Sequence, residues 1–305
     1  MGEAVKLLSV EGLAAPHMIR GRTYRCIDVA VRCKMGFFPK MIALDIDGTL
    51  LDDRGLLSAR SKRALALTIE RGVKVVVATG RMFASARHVI SEIGTTSPCV
   101  FCGGAAVVDP LTAETLFLRE IDAELVSEIV AFYHKNGWRV QICEADALWI
   151  PFEGDAGHSV YDSAARINRF SFEDDISALE MRAVKLLGYS AEPDGYRSMF
   201  FKTRERFRDR LRLGRSRGKF IEITHPMVNK AHGADVVARF LGVEGKDVLA
   251  FGDASNDSQL LRWAGRGVAV SNSCAAAKVA ADEICPSNNE DGVAKTLEKY
   301  LLQRR

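Results

Sequence analysis

From Met41 onward, short runs of apolar residues alternate with segments that have the pattern of amphipathic helices. The run Met41–Ile46 has the length and composition of a buried strand in a parallel sheet. Ser58 is a favourable N-cap for a helix that is expected to end near Arg71, before Gly72. The next elements are predicted as a strand, a helix and a strand: Val73–Ala78, Phe83–Ile93 and Pro98–Cys102. Such alternation predicts an α/β fold with a doubly wound parallel sheet.

The middle of the chain, residues 109–224, has a different pattern, and two turn signals, Asp109-Pro110 and His225-Pro226, bracket it. Beyond Pro226 the alternation of strands and helices returns. We therefore predict a core formed by residues 41–108 and 225–305, with a second α/β domain, residues 109–224, inserted into it. The pieces expected in this inserted domain are strands at Trp138–Cys143, Ala147–Ile150, Met199–Lys202 and Phe220–Thr224, and helices at Asp122–Asn136 and Arg204–Leu213.

Residues 1–40 show no clear period and carry seven basic residues. We interpret them as an N-terminal extension. One explanation is a mis-assigned start codon upstream of Met35 or Met41, and the other is a loosely packed arm of the native protein. Mass spectrometry of the native N-terminus distinguishes the two.

The composition narrows the class of protein. Of the 305 residues, 48% are apolar and 27% are charged, which is typical of a globular domain and excludes global disorder. A net charge of +3 is too small to indicate nucleic acid, and no apolar run approaches the roughly 18 residues of a membrane span. The seven cysteines are scattered, which indicates reduced thiols and a cytoplasmic location. Cys99 and Cys102 have metal-site spacing but no second pair, so buried thiols are the preferred interpretation.

Two carboxylates follow the first strand, in the run Asp45-Ile46-Asp47-Gly48-Thr49. In an open parallel sheet, ligands bind beyond the carboxyl ends of the strands. The alternation of a strand points both carboxylates the same way, and each costs desolvation free energy unless it is paired or binds a metal. This run is therefore a candidate functional site.

Other polar groups occur at corresponding places further along the chain. The second strand ends in Ala78-Thr79-Gly80-Arg81, where a hydroxyl and the amides of a following helix suit an anion. A later strand runs into Gly252-Asp253-Ala254-Ser255-Asn256-Asp257, and Lys230 precedes the helix that leads to it. Carboxylate oxygens suit Mg²⁺, which keeps several waters and bridges to phosphate. The pattern predicts a site for Mg²⁺ and a phosphate group.

These four motifs, D-I-D-G-T, A-T-G-R, Lys230 and G-D-A-S-N-D, resemble motifs one to four of the haloacid dehalogenase superfamily. Their order, and the insertion after the third strand, resemble the Cof-type branch (subfamily IIB), in which a large cap domain is inserted. The resemblance covers Met41 to about Tyr300. It implies a cytoplasmic, Mg²⁺-dependent phosphatase that acts on a small phosphorylated metabolite, such as a sugar phosphate or a phosphorylated cofactor, while residues 109–224 cap the core.

The resemblance also implies roles for the acidic residues. Asp45 would be the nucleophile that forms an aspartyl-phosphate, and Asp47 the general acid and base. The metal site would comprise Asp45, Asp47 through its backbone carbonyl, and Asp253, with Asp257 directly behind Asp253. An aspartate at position 47 is typical of phosphatases and mutases, whereas ion-pumping ATPases of the superfamily carry threonine there.

For the phosphate, the resemblance implies a second group of residues. Thr79 and Lys230 would hold the oxygens of the transferring phosphoryl group, where positioning and charge neutralisation supply most of the catalysis. The supporting contacts to the phosphate would come from Gly80, Arg81 and Asn256. An arginine in a first helical turn can instead form only a salt bridge, and for Arg81 both interpretations stay open.

One position departs from the family's pattern. The third strand of Cof-type proteins usually ends in Asn-Gly-Ala, whereas this chain has Gly103-Gly104-Ala105. The missing amide removes one polar group near the substrate. We therefore predict a modest effect on substrate choice and none on the core catalytic groups.

Two alternative functions stay open. A phosphomutase would use the same nucleophile but return the phosphoryl group to the product, so release of inorganic phosphate discriminates against it. A non-catalytic protein would bind a polyanion through residues 202–219, which hold nine basic and two acidic residues. Arginine at every second position spreads around a helix and forms no single stripe, which favours a solvated cap helix and argues against nucleic acid.

Overall fold

The computed structural model describes residues 37–145, 147–151, 166–171, 180–192, 195–215 and 220–302. The chain divides into two units, Met1–Phe37 and Phe38–Arg305, and the following account concerns the second. Residues 1–36 of the predicted N-terminal extension and residues 216–219 of the arginine-rich segment lie outside the described residues.

Strands and helices alternate at both ends of the described chain, with a different order between them. The strands are β1 Met41–Leu44, β2 Lys74–Val77, β3 Cys99–Phe101, β4 Ala106–Val108, β5 Thr115–Leu118, β6 Arg139–Cys143, β7 Ala147–Pro151, β8 Arg166–Phe170, β9 Lys185–Tyr189, β10 Arg212–Arg215, β11 Ile221–Thr224, β12 Val248–Gly252, β13 Arg266–Val270 and β14 Glu283–Cys285. The α-helices are α1 Ala59–Glu70, α2 Phe83–Ile93, α3 Ala123–Lys135, α4 Gly195–Phe207, α5 Lys230–Phe240, α6 Ser258–Trp263, α7 Ala275–Ala280 and α8 Gly292–Leu302.

A parallel sheet with the order β14-β13-β12-β1-β2 forms the core. Met41 of β1 lies opposite Val248 of β12 and Lys74 of β2. All residues of β1 and β12 are buried, which is why these strands are continuously apolar and do not alternate with polar residues. Beyond β2, the strand β3 joins through a parallel bridge between Ala78 and Val100. The predicted parallel sheet is confirmed.

Helices cover both faces of this sheet. Met41 and Ala43 point into an apolar cluster with α5, α6 and α7, so the residues between and beyond them point to the opposite face. On that face α1 and α8 pack together, and the guanidinium of Arg60 pairs with Glu298. Ser58 is the N-cap of α1, as predicted, since its Oγ accepts a hydrogen bond from the amide of Ser61 at 3.0 Å.

The strand predicted at Pro98–Cys102 is shorter than expected. It ends at Phe101, because Cys102, with φ 52°, begins a 3-10 turn. The strand pairs antiparallel with β4 in the small sheet β3-β4-β5. The predicted boundary at Asp109 falls in the turn between β4 and β5. Cys99 and Cys102 are free and buried, and burial raises their pKa to about 12 and about 11, as suits unreactive thiols.

The strands of the inserted segment form a separate sheet with the order β10-β11-β9-β6-β7-β8. Its described pairs are antiparallel except β7 with β8. The helices α3 and α4 pack on one face, where residues such as Val130, Tyr133 and Met199 meet Ile142 and Ile223. We name this sheet the cap sheet, because the resemblance places a cap in this part of the chain.

Two predicted elements of this region are wrong. Met199–Lys202 is not a strand but the middle of α4, and the helix predicted at Arg204–Leu213 ends at Phe207, before β10. The apolar run in α4 has the composition of a strand, but Met199, Thr203 and Phe207 are buried at helical spacing. Tertiary packing against α3 therefore outweighs the local pattern.

The charges of the arginine-rich segment, residues 202–219, are partly neutralised by neighbouring elements. Arg206 and Arg210 both pair with Glu128 of α3, and the ammonium of Lys202 lies 5.6 Å from the centre of the Trp138 ring. Among the described residues of this segment, those up to Phe207 are helical, whereas Arg208–Arg210 form a 3-10 turn and Arg212–Arg215 form β10, so the predicted solvated helix covers only the first part. Across the described part of the chain, no helix has the length and hydropathy that a membrane span requires.

Candidate active site

The predicted motifs meet at the carboxyl edge of the core sheet. Asp45 directly follows β1, Thr79 lies two residues after β2, and Asp253 follows β12. Since β2, β1 and β12 are parallel neighbours, their ends lie side by side. The edge therefore gathers residues that are more than 200 positions apart in the chain.

Lys230 is the only cation buried among these carboxylates in the described residues, and its side chain is 1% exposed. Its Nζ lies 2.8 Å from Asp45 Oδ1 and 2.6 Å from Asp257 Oδ1. Burial alone would lower the pKa of Lys230, but the charges of Asp257 and Asp45 outweigh it and raise that pKa. The ammonium is thus held charged beside the first strand.

Asp257 anchors the loop that carries Asp253. Its Oδ2 accepts hydrogen bonds from the amides of Asp253 and Ala254, at 3.1 and 2.9 Å, while its Oδ1 accepts from Lys230. A Cβ at Gly252 would lie 2.4 Å from the Cβ of Asp257, so glycine is required there. With both oxygens engaged, Asp257 orients its neighbours.

The first motif touches Asp253 directly. Thr49 donates a hydrogen bond to Asp253 Oδ1 at 2.8 Å. Gly48 has φ 76°, and a Cβ there would lie 2.7 Å from Asp253 Oδ2, so both backbone freedom and close approach require glycine. Sequence reasoning did not single out Thr49, although it lies in the same five-residue run as Asp45.

The carboxylates suit a divalent cation. Ligand oxygens of Asp45, Asp253 and Asp257 lie within 4.8 Å of one another, and Lys230 contacts two of these carboxylates, Asp45 and Asp257. Burial raises the pKa of Asp45 to about 8, because Lys230 only partly offsets burial and the charges of Asp257 and Asp253. Burial also raises the pKa of Asp253. A cation among these oxygens would stabilise their ionised forms, as hard oxygen ligands allow.

The carboxylate of Asp47 pairs with Arg81. Arg81 Nε lies 2.8 Å from Asp47 Oδ2, and Nη2 lies 2.7 Å from Oδ1. Hydrogen bonding to Asp47 raises the pKa of Arg81. The side chains are 23% and 31% exposed, so the pair lies at the mouth of the site. The structure therefore places Arg81 on a carboxylate, in line with the salt-bridge interpretation.

The segment from Thr79 to Arg81 is held from both sides. Thr79 is buried, its Oγ1 accepts a hydrogen bond from the amide of Arg81 at 3.1 Å, and its carbonyl accepts from the amide of Gly103 at 3.0 Å. The carbonyl of Gly80 accepts from Lys185 Nζ of the cap sheet at 2.8 Å. Lys185 was not predicted as a site residue, because nothing in a strand of mixed composition indicates it.

Two of the positions that the sequence analysis singled out, Gly103 and Asn256, make no side-chain hydrogen bond with the other described site residues. Gly103 has φ 68°, and among the described residues nothing lies within 4 Å of an added Cβ. Asn256 is exposed on the 3-10 turn Ser255–Asp257, and no hydrogen bond joins it to the other described site residues. A contact of Asn256 with phosphate stays a prediction.

Asparagines near the C-terminal end support the first motif. Asn272 Nδ2 donates to the carbonyl of Gly48 at 2.8 Å, and its Oδ1 accepts from the amide of Asn288 at 3.1 Å. Asn288 Nδ2 in turn donates to the carbonyl of Leu51 at 2.9 Å. Sequence reasoning did not single out Asn272, because no local pattern marks it.

Comparisons with known proteins agree with this arrangement. The family model of the haloacid dehalogenase-like hydrolases matches residues 42–297. The 5-amino-6-(5-phospho-D-ribitylamino)uracil phosphatase YcsE of Bacillus subtilis is 27% identical, covering 86% of this chain and 96% of its own. The putative phosphatase YxeH of the same species is 25% identical, covering 87% and 99%. A crystal structure of a haloacid dehalogenase-like hydrolase from Bacteroides thetaiotaomicron has a TM-score of 0.76 at 23% identity, covering 86% of this chain and 99% of that one.

Proposed function

The chain belongs to the haloacid dehalogenase-like hydrolases, in the Cof-type branch, and on this basis we propose that it is a Mg²⁺-dependent phosphatase. Its substrate would be a small phosphorylated metabolite, hydrolysed through an aspartyl-phosphate on Asp45. The observation that carries the proposal is the position of Asp45, buried at the end of β1 with Lys230 at 2.8 Å and two further carboxylates beside it. These groups would supply a nucleophile, a counter-charge and metal ligands at one edge of the sheet, which supports the proposal.

In the first step, a carboxylate oxygen of Asp45 attacks the phosphorus atom, and the bond from phosphorus to the ester oxygen breaks. That oxygen leaves with a proton from Asp47, which acts as the general acid. The ammonium of Lys230 and the hydroxyl of Thr79 neutralise and orient the phosphoryl oxygens. The product is an aspartyl-phosphate on Asp45 and a free alcohol.

In the second step, water attacks the phosphorus atom of the aspartyl-phosphate. Asp47, now ionised, takes a proton from this water, and the bond from phosphorus to the Asp45 oxygen breaks. Inorganic phosphate leaves and the Asp45 carboxylate is restored. The two hydrogen bonds from Arg81 hold the carboxylate of Asp47 in place. This ion pair must weaken when Asp47 is protonated.

The donor set fits Mg²⁺. Asp45, Asp253 and the backbone carbonyl of Asp47 would hold the ion, while Asp257, whose oxygens are already engaged, would orient Asp253 and Lys230 from behind. When bound, Mg²⁺ supplies the positive charge that lets a carboxylate approach a phosphate dianion.

The relatives and the proposed cap support the substrate class that we propose. The relative YcsE is named for a phosphorylated ribityl compound, which supports a sugar phosphate or a phosphorylated cofactor for this chain. Residues 109–224 would close over the core, exclude water during the first step and select the leaving group. The described cysteines are free thiols, which supports the cytoplasmic location that we propose.

Phosphate release from a panel of phosphorylated metabolites tests the function. We expect turnover with Mg²⁺, loss of turnover with a chelator, and loss of turnover in Asp45→Asn. Asp235→Asn is a matched control, because Asp235 pairs with Arg239 on the surface of α5 and lies outside the site. No release from any compound by a folded, Mg²⁺-loaded protein would contradict the proposal and favour the phosphomutase or the polyanion-binding alternative.

A further inference from the structure

The cap sheet has two different faces. Val140 and Ile142 of β6, and Ile221 and Ile223 of β11, point into the apolar cluster under α3 and α4. Since side chains alternate along a strand, Gln141 and Glu222 point to the opposite face. On β9, Leu186 lies in the same apolar cluster, so Lys185 also points to the opposite face. We name Gln141, Lys185 and Glu222 the polar triplet.

The pairing register brings the polar triplet together. Gln141 and Glu222 lie opposite Leu187 on its two sides, so they occupy one row across β6, β9 and β11. Lys185 lies two residues before Leu187 on the same face, at a spacing of roughly 6.5 Å. Its Nζ is 3.3 Å from Glu222 Oε1. Three polar side chains thus share a small area of the sheet.

This area faces the segments that surround the reacting phosphate. Lys185 Nζ donates to the carbonyl of Gly80 at 2.8 Å, one residue from Thr79. The charges of Lys185 and Glu222 act on the thiol of Cys102, so the end of β3 is also close. Next to Cys102, an added Cβ at Gly103 would meet none of the described atoms within 4 Å.

Gln141 is the member of the triplet without a partner. Its side chain is 1% exposed, and neither its amide oxygen nor its amide nitrogen has a hydrogen-bond partner in the described part of the chain. Buried polar atoms in proteins are nearly always paired, and an unpaired amide needs an explanation. Lys185 and Glu222 form an ion pair with each other and do not provide a hydrogen-bond partner for the Gln141 amide.

We propose that Gln141, assisted by Lys185 and Glu222, binds the leaving group of the substrate, and that this leaving group is a polyol. The inference rests on the proposed phosphatase function and specifies its substrate class. An amide donates and accepts hydrogen bonds, a carboxylate accepts and an ammonium donates. A chain of hydroxyl groups, each able to donate and accept, satisfies all three, whereas an aryl or alkyl group satisfies none.

The experiment compares Gln141→Met with the native protein on D-ribitol 5-phosphate and on p-nitrophenyl phosphate, whose leaving group carries no alcohol chain. We expect kcat/KM for ribitol 5-phosphate to fall at least tenfold and kcat/KM for p-nitrophenyl phosphate to change less than twofold. Tyr133→Phe is the matched control: it removes the hydrogen bond to Thr203 on the other face of the same sheet, and the ratio of the two kcat/KM values should stay unchanged.

Two results would overturn the inference. The first is a Gln141→Met variant with an unchanged ratio, since Gln141 would then be only a buried polar side chain. The second is a native protein that hydrolyses p-nitrophenyl phosphate faster than every polyol phosphate tested. Should Gln141→Met fail to fold, Glu222→Gln keeps the side-chain size and must lower the same ratio. Absence of phosphate release from every compound of the metabolite panel contradicts the phosphatase function itself, and is thereby distinguished from failure of the inference.

Discussion

The guanidinium of Arg81 forms two hydrogen bonds with the carboxylate of Asp47, at 2.7 and 2.8 Å. The two residues come from the ends of adjacent parallel strands, 34 positions apart. Two parallel hydrogen bonds from a planar guanidinium fix the orientation of a carboxylate, whereas a single contact from a lysine ammonium does not. The proposed acid–base group is therefore positioned by the second motif.

Arg81→Lys is expected to lower kcat by about tenfold to a hundredfold with little change in KM. The substitution keeps the positive charge but removes the bidentate contact that orients the carboxylate of Asp47. Steady-state kinetics on the best substrate of the panel measures both constants. Arg87→Lys, on the exposed surface of α2, should leave both unchanged. A raised KM with a preserved kcat would indicate instead that Arg81 binds the substrate phosphate.

Lys230→Met is expected to lower the free energy of unfolding by about 3–5 kcal/mol, because it leaves the buried carboxylate of Asp257 without its counter-charge and removes the hydrogen bond of Lys230 to Asp45. Denaturant unfolding in a chelator measures the change. The exposed Lys246→Met should change it by less than about 0.5 kcal/mol. A loss below about 1 kcal/mol for Lys230→Met would show that water or local relaxation compensates the two carboxylates.

The stability of the metal-free protein should depend on pH through Asp45. Its pKa is raised from 3.8 to about 8 in the folded state, chiefly by burial, so between these values the folded protein holds a proton that the unfolded chain has lost. The contribution is fully present below pH 4 and is lost as the pH rises toward 8. We therefore expect Asp45→Asn to gain thermal stability relative to the native protein from pH 5 to pH 8.

Thermal melts of both proteins in a chelator, across that pH range, measure this difference. Parallel curves for the native protein and Asp45→Asn would contradict the prediction. Addition of Mg²⁺ at pH 8 should stabilise the native protein more than the variant, because the metal competes with the proton for Asp45.

Gly103→Asn is expected to fold and to change the relative rates on a substrate panel by a few-fold. The backbone there has φ 68°, which asparagine tolerates, and its side chain would enter space that is open among the described residues. Gly104→Ala is the contrasting variant, since its Cβ would lie 2.1 Å from the carbonyl oxygen of Asn229 and should destabilise the fold by about 1–3 kcal/mol. Unchanged relative rates in Gly103→Asn would remove position 103 from substrate selection.

Much of the core was predictable because its signals are local. A strand buried on both faces is continuously apolar over a few residues, as in Met41–Leu44, and a capping serine such as Ser58 lies next to the helix that it starts. The position of a motif at a strand end is set by the order of the strands in the sheet. Because β1, β2 and β12 are parallel neighbours, Asp45, Thr79 and Asp253 lie near one another. The candidate nucleophile, the lysine and the acidic loop could therefore be assigned from order and spacing.

The inserted region was less predictable because its signals compete. The apolar run from Met199 to Phe201 has the composition of a strand, and only the burial of Met199, Thr203 and Phe207 against the cap sheet makes it a helix. The strands β5 and β9 were not predicted either. Their partners lie across connections that no local window includes.

Sequence alone determined the class of fold, the order of the motifs and the residue types available for chemistry, since these depend on neighbours along the chain. Tertiary structure decided which of those groups pair. Thr49 bonds Asp253 across 204 positions, and Lys185 reaches Gly80 across 105. It also left the amide of Gln141 without a partner in the described residues. The physical reason is that desolvation and hydrogen bonding depend on distance in space and not on separation along the chain. The hydrogen-bond partners of these side chains are therefore defined only when the core sheet and the cap sheet have packed.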